Sequence, residues 1–160
     1  MNIQKSTFIH VGEIHIDTSP MTISTILGSC VAICLYDSTL QIGGMNHYLL
    51  PFWNNNGLQS PKYGNISIPL LIKKMLKKGS CIENLEAKIF GGASLNITTS
   101  KGMMIGEKNI LVAQEILQEY KIKITAQDVG GSNGRKILFN LDKGKVLLKY
   151  TLNSGDTNGN

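Results

Sequence analysis

The sequence predicts an α+β protein in which two main helices pack on one side of layered β-sheets, mixed or antiparallel. About eight segments show strand patterning and only two show helical spacing, and most strands follow one another directly. That order argues against a doubly wound parallel sheet, in which strands and helices alternate. A chain of 160 residues with 42% hydrophobic residues suits one core and is too short for two comfortable domains. We therefore predict one domain over residues 1–152 and a flexible polar tail over 153–160.

The N-terminal part of the chain is predicted to be extended. Its first segment alternates polar and apolar side chains, as a strand with one buried face does. A turn is expected at Gly28-Ser29, and Gly43-Gly44 is a candidate for a β-bulge. The expected strands are 8–17, 22–27, 30–36 and 40–50.

A polar loop over 51–64 leads into the first helix. We expect the loop either to close over a site or to plug the core with its aromatic residues. Apolar residues at three- and four-residue spacing predict a helix over 66–78. Ser67 is expected to cap it, Pro69 to lie in its first turn and Gly79 to end it.

The C-terminal part combines one helix with four strands. The helix is predicted over 107–120, and 142–144 reads as a hairpin turn. The glycine-containing segments 91–94 and 128–135 are interpreted as turns, the first with a second option as the wall of a site. The expected strands are 86–90, 121–129, 136–139 and 145–151.

The charge pattern does not favour nucleic-acid binding. Sixteen Lys and Arg against eleven Asp and Glu give a net charge of +5, without a run of five or six like charges. The densest cluster, over 73–78, is interpreted as a solvated helix face, with attraction to an acidic protein partner as the alternative. The longest nearly apolar run, 66–72, is far short of the ~20 residues of a membrane span, and the N-terminus shows no secretory signal. We expect a cytoplasmic protein without membrane insertion.

A cysteine and a histidine form the strongest candidate for a reactive site. If 30–36 and 40–47 form a hairpin turning at Ser38-Thr39, Cys30 lies directly opposite His47. Directly opposed residues share a sheet face, with Cβ atoms about 4.5–5.5 Å apart. An imidazole at that distance can take the thiol proton and leave the nucleophilic thiolate. We expect Cys30 to be the most readily alkylated of the three cysteines.

The residues before Cys30 suit the same chemistry. The backbone N–H groups of Ser29 and Cys30 are candidates for an oxyanion hole. A hydroxyl of Ser24 or Thr25 would orient the imidazole. We expect no metal or organic cofactor, because a thiol and an imidazole supply the groups required. The alternative remains open: a cysteine in an apolar strand is commonly a core residue, and a histidine near a strand end is commonly a satisfied polar group.

Five ordered motifs resemble the chemoreceptor glutamine deamidase family, CheD, over about residues 8–150. They are L-G-S-C-V-A-I-C-L-Y-D at 27–37, G-G-M-N-H-Y-L-L-P at 43–51, E-A-K-I-F-G-G-A-S at 86–94, I-G-E-K-N at 105–109 and D-V-G-G-S-N-G-R-K at 128–136. The family nucleophile matches Cys30 and its histidine matches His47. A family threonine falls on Ser24 without gaps, with Thr25 adjacent, so the resemblance leaves two candidates for the third residue.

The resemblance implies a fold of layered sheets with two helices. It also implies hydrolysis of glutamine side chains on methyl-accepting chemotaxis receptors, by a cysteine–histidine mechanism that leaves glutamate. Family members bind CheC-type phosphatases of the response regulator. The alternative function is therefore a regulatory binding module that acts through such a phosphatase.

Overall fold

Three layers are stacked in the order helices, five-stranded sheet, four-stranded sheet. The structure is a computed structural model that describes residues 5–18, 20–94 and 104–151. The strands are β1 (Lys5–Phe8), β2 (Ile14–Thr18), β3 (Met21–Leu27), β4 (Val31–Asp37), β5 (Ile42–Asn46), β6 (Leu85–Gly91), β7 (Lys123–Val129), β8 (Gly134–Asn140) and β9 (Lys145–Thr151). The helices are α1 (Gly64–Lys77) and α2 (Ile105–Glu119), with a short 3₁₀ turn at Ile82–Asn84.

Both sheets are mixed, which confirms the predicted fold class. The four-stranded sheet has the order β1-β3-β8-β9 and the five-stranded sheet the order β2-β5-β4-β6-β7. β1 runs parallel to β3 and β6 parallel to β7, and the other pairs are antiparallel. Both helices pack on the same face of the five-stranded sheet.

The central strand β4 is covered on both faces, and all seven of its residues are buried. Successive side chains of a strand point to opposite faces. Val31, Ile33 and Leu35 accordingly belong to the core under the helices. Ala32 and Cys34 belong to the second core, between the two sheets. Cys30 lies on this inter-sheet side, immediately before β4.

The predicted first strand over 8–17 is wrong as a single element. The chain turns between His10 and Glu13, where the Glu13 N–H donates to the His10 carbonyl at 3.0 Å. Gly12 takes a φ of 85° in this turn, a backbone conformation that favours glycine. The two halves pair in different sheets. Alternation of side chains indicates extended backbone but carries no information about which sheet each half joins.

The β-bulge expected at Gly43-Gly44 is also wrong, because β5 pairs with β4 in one continuous register from Ile42 to Met45. The glycines have a packing role. A Cβ on Gly43 would lie 2.3 Å from Leu141 Cδ2, and one on Gly44 would lie 3.2 Å from Leu71 Cδ1 on α1. The neighbouring layers therefore approach the backbone of β5 from both sides.

The first helix was predicted correctly, but the cap and the first turn of α1 differ from the prediction. The helix begins at Gly64 after Tyr63 and has no side-chain cap. Ser67 lies inside the helix, buried, where its Oγ accepts from Asn46 Nδ2 at 3.0 Å. Pro69 lies beyond the first turn. Gly79 has a φ of 111° just after the helix and fills the predicted terminating position.

The strand predicted over 40–50 is shorter than expected, since β5 ends at Asn46, four residues early. The remaining elements match their predictions within two residues, including the hairpin turn at 142–144. Within the loop over 51–63, Phe52 is 55% exposed and Leu58 is 91% exposed. Phe52 is thus not a plug over the core.

The predicted tail over 153–160 lies outside the described residues. In the described parts of the chain, neither helix is long and apolar enough to cross a membrane.

Candidate active site

The structure brings Cys30 and His47 to the same face of the five-stranded sheet, in a register that differs from the predicted one. Cys34 pairs with Met45 and Val31 pairs with Tyr48, so Cys30 lies diagonal to His47 and not directly opposite it. The predicted register is therefore wrong by two residues. Because the side-chain period of a strand is two, a shift by two leaves every side chain on its face.

The register follows from the turn between β4 and β5. Asp37 is buried, and its Oδ1 accepts the backbone N–H groups of Thr39 and Leu40 at 2.9 and 3.1 Å. Its Oδ2 accepts the hydroxyl of Ser80 at 2.5 Å. These bonds hold a four-residue loop before Ile42, where a two-residue turn was predicted. An aspartate that accepts from the N–H two residues on is a known turn signal.

Thr25 orients the ring of His47 from the other sheet. Thr25 Oγ1 lies 2.7 Å from the Ile9 carbonyl oxygen and 2.7 Å from His47 Nδ1. A carbonyl only accepts, so the hydroxyl proton is donated to Ile9 and the hydroxyl oxygen accepts from Nδ1–H. His47 therefore carries its proton on Nδ1, and Nε2 has a free lone pair.

The lone pair of His47 Nε2 is buried and available. Within the described ranges Nε2 has no hydrogen-bond partner. Burial, with a smaller contribution from the charge of His10, lowers the pKa of His47 to about 4. At neutral pH the ring is thus an uncharged base with a fixed tautomer.

Cys30 lies immediately before β4, in the core between the sheets, and is 9% exposed. Burial raises the pKa of its thiol, and its own backbone N–H partly opposes that rise. Neither the Cys30 N–H nor the Ser29 N–H donates to a backbone carbonyl among the residues that the structure describes. Both groups could therefore donate to an oxyanion.

Ser24 lies away from the site. Burial along β3 alternates, with Thr25 on the buried face toward the five-stranded sheet and Ser24 on the opposite face. The Ser24 hydroxyl donates to the Thr7 carbonyl at 3.4 Å. The two candidates left open by the sequence are therefore on different faces, and Thr25 is the one that contacts His47.

The other cysteines have different surroundings. Cys34 is fully buried and packs its Sγ 3.5 Å from the sulfur of Met45, its partner on β5. Cys81 is exposed. Exposure favours alkylation of Cys81, whereas a base that takes the thiol proton would favour Cys30. The expectation that Cys30 is the most readily alkylated cysteine therefore stays a prediction.

A cleft of about 540 Å³ opens beside His47 and Thr25. Its walls include the exposed apolar side chains of Phe8, Val11 and Ile26. Over the described parts of the chain, no three His, Cys, Asp or Glu side chains are grouped to hold a metal ion.

Asn109 contacts both segments that carry the site, the one just before Cys30 and the one just after His47. The residue types in the sequence did not identify it as a site residue. It lies on α2, is fully buried, and donates from Nδ2 to the carbonyls of Ser29 at 2.9 Å and Leu49 at 3.0 Å. Its backbone carbonyl accepts the hydroxyl of Tyr48 at 2.5 Å. The only signal in the sequence was its place at the end of the motif I-G-E-K-N.

The chain is an α+β protein of layered mixed sheets that carries a cysteine and an uncharged histidine on one face of its five-stranded sheet, and this fold and residue set define its class. Within that class the chain belongs to the CheD family, because the family model described as CheD chemotactic sensory transduction matches residues 49–150. The family resemblance stated from the motifs is confirmed.

Similar proteins support this membership. A probable chemoreceptor glutamine deamidase CheD of Sulfurimonas denitrificans is 54% identical over 89% of this chain and 92% of its own length. A protein of the same description from Trichlorobacter lovleyi is 48% identical over 88% of each chain. The chemoreceptor glutamine deamidase CheD of Thermotoga maritima is 37% identical over 88% of this chain and 89% of its own.

Proposed function

We propose that this chain is a protein-glutamine amidohydrolase that converts glutamine side chains of methyl-accepting chemotaxis receptors to glutamate. The relatives named as chemoreceptor glutamine deamidases align with almost the whole chain. Side-chain amides are unreactive toward water at neutral pH, so their hydrolysis needs an activated nucleophile and a stabilised oxyanion.

The observation that carries the proposal is the hydrogen-bond chain from the Ile9 carbonyl through Thr25 to His47 Nδ1. This chain leaves His47 Nε2 unprotonated, buried and on the same face as Cys30. A histidine kept only for packing would not need its second nitrogen buried without a partner, since such a group is costly in the folded state.

In the first half of the proposed reaction, Cys30 Sγ transfers its proton to His47 Nε2 and attacks the amide carbon. The N–H groups of Ser29 and Cys30 stabilise the oxyanion. His47 then returns the proton to the amide nitrogen, which leaves as ammonia when the carbon–nitrogen bond breaks. The product of this half is a thioester between Cys30 and the former glutamine side chain.

In the second half, His47 Nε2 takes a proton from water, whose oxygen attacks the thioester carbon. The carbon–sulfur bond breaks, the proton passes to the sulfur, and a carboxylic acid is released. Burial raises the pKa of Cys30 and lowers that of His47, so the resting pair is a neutral thiol and a neutral imidazole. We therefore propose that the proton moves during the attack.

Receptor fragments provide the direct test. The purified protein is incubated with cytoplasmic fragments of methyl-accepting receptors, and peptide masses are examined for conversion of Gln to Glu. Cys30→Ala is expected to abolish conversion. Cys34→Ala and Cys81→Ala, which remove the other two thiols, are expected to leave it largely intact. Full activity of Cys30→Ala would exclude the thiol mechanism.

The family resemblance also supports a second candidate function, regulation through a bound CheC-type phosphatase. This alternative predicts that Cys30→Ala retains chemotactic function in cells while loss of phosphatase binding abolishes it.

For either function we propose a cytoplasmic location. The three free cysteines support it, because the cytoplasm keeps thiols reduced.

A further inference from the structure

We propose that Asn109 is a positioning residue that holds the Ser29–Cys30 peptide so that the Cys30 N–H faces the reacting carbonyl. The inference rests on the proposed amide hydrolysis and assigns a role to a helix residue outside the cysteine–histidine–threonine set. It is carried by the contacts of one buried amide with both segments of the site.

The orientation of the Asn109 amide follows from its partners. Its two contacts, at 2.9 and 3.0 Å, are to the carbonyl oxygens of Ser29 and Leu49. Carbonyl oxygens only accept, so the NH₂ group must face them, and both of its protons are used. Oδ1 then points the other way, where the described residues offer it no donor.

The bond to Ser29 determines the direction of the Cys30 N–H. The peptide unit is planar, and in a trans peptide the C=O of one residue and the N–H of the next point in opposite directions. When Asn109 draws the Ser29 carbonyl toward α2, the Cys30 N–H is directed away from the helix. That N–H donates to no backbone carbonyl in the described part of the chain.

The same side chain also holds the segment that carries His47. The Leu49 carbonyl accepts from Nδ2, and the Tyr48 hydroxyl donates to the Asn109 backbone carbonyl. One residue of α2 thus connects the chain just before Cys30 with the chain just after His47. The backbone bonds between Val31 and Tyr48 also join these segments, and Asn109 adds a second connection from the helix layer.

The fold allows α2 to come this close only because glycines face it. A Cβ on Gly106 would lie 2.4 Å from the Gly92 carbonyl oxygen, and one on Gly92 would lie 2.4 Å from Ile110 Cγ1. The Gly92 N–H in turn donates to the Cys30 carbonyl at 2.9 Å. The two ends of the Ser29–Cys30 segment are therefore held from two sides, by Asn109 and by Gly92.

The test compares Asn109→Ala with Val112→Ala. Val112 is buried on the same helix and is not bonded to either site segment, so its truncation controls for general destabilisation. Three quantities are measured on the full chain: kcat and KM for conversion of receptor fragments, and the rate at which iodoacetamide alkylates Cys30. Alkylation needs the thiol and His47 but forms no oxyanion.

For Asn109→Ala we expect kcat to fall on the order of 10- to 100-fold, since complete loss of an oxyanion donor costs about 10²–10³-fold. KM and the alkylation rate of Cys30 should stay within about threefold of the Val112→Ala values. If Asn109→Ala does not fold, Asn109→Ser, which keeps one donor, is judged by the same comparison.

Two outcomes overturn the inference. In the first, kcat of the Asn109 variant equals that of Val112→Ala. In the second, alkylation and kcat fall by the same factor, which would mean that Asn109 only maintains the site as a whole. Failure of the proposed function gives a different result, because then the parent protein converts no glutamine or Cys30→Ala remains active.

Discussion

At the scale of single residues, His47 has the properties of a general base at neutral pH. Its ring is oriented by Thr25, its Nε2 lone pair is free, and burial lowers its pKa to about 4. The free energy that keeps this ring uncharged comes from the fold, because a charged imidazole would have to be buried between the sheets.

The pKa of His47 makes the stability of the protein depend on pH. The unfolded histidine has a pKa near 6.5 and the folded one about 4. Between these values the unfolded state binds the extra proton, so the free energy of unfolding falls as pH falls from ~6.5 to ~4. From pH 7 to pH 5 this loss is roughly 2 kcal/mol for one histidine.

Urea unfolding at the two pH values measures this loss. His47→Gln should remove most of the pH dependence, whereas His15→Gln, which changes a partly exposed histidine on β2, should retain it. An unchanged pH dependence in His47→Gln would show that the imidazole is not held uncharged by burial.

Thr25 and Ser24 provide a matched pair at the same scale. Thr25→Val keeps the shape of the side chain but leaves His47 Nδ1 without an acceptor, so the tautomer is no longer fixed. We expect kcat for glutamine conversion to fall on the order of 10- to 100-fold, with Thr25→Ser retaining most activity. Ser24→Ala should stay within about twofold. Equal losses in Thr25→Val and Ser24→Ala would contradict the role of Thr25.

At the scale of elements, β5 shows how packing selects residues that local pattern cannot explain. Side chains in the core between the two sheets lie against Gly43, and side chains of the helix layer lie against Gly44. A pair of glycines in a strand often marks a bulge or a close approach of other atoms. Here the approach of side chains from both neighbouring layers is the reason.

Replacement of Gly43 tests this packing. Gly43→Ala would place a Cβ 2.3 Å from Leu141 Cδ2, so the side chains between the sheets must move. We expect a loss of about 1–3 kcal/mol in the free energy of unfolding, the usual cost of overpacking. Gly28→Ala, where a Cβ meets nothing within 4 Å, is the stability control and should cost less. Denaturant unfolding of the two variants makes the comparison.

At the scale of the whole molecule, each layer contributes to the site. Thr25 comes from the four-stranded sheet, Cys30 and His47 from the five-stranded sheet, and Asn109 from the helix layer. The site geometry therefore depends on how the three layers are held together and not on one hairpin alone.

Arg135 is one of the groups that hold the two sheets together. It lies on β8, is 3% exposed, and donates to Asp128 on β7 at 2.8 Å. It also donates to the carbonyls of Gly91 and Gly130 at 3.3 and 2.8 Å, and the ring of Tyr150 lies 5.6 Å from its guanidinium carbon. The segment 128–135 is thus more than the turn cluster that its composition predicted. The Arg135 side of this ion pair is buried and the Asp128 side chain is 36% exposed, so the carbonyls of Gly91 and Gly130 complete the hydrogen bonding of the buried guanidinium.

The sequence by itself determined the element types, the two helices and the common face of Cys30 and His47. Local spacing predicts these features because a strand alternates with period two, so even a register wrong by two residues leaves each side chain on its face. The tertiary structure alone decided between Thr25 and Ser24, placed Asn109 beside both site segments, and assigned the strands of the predicted segment 8–17 to different sheets. Each of these depends on contacts between layers, and such contacts form between residues far apart in the chain, where local pattern carries no information.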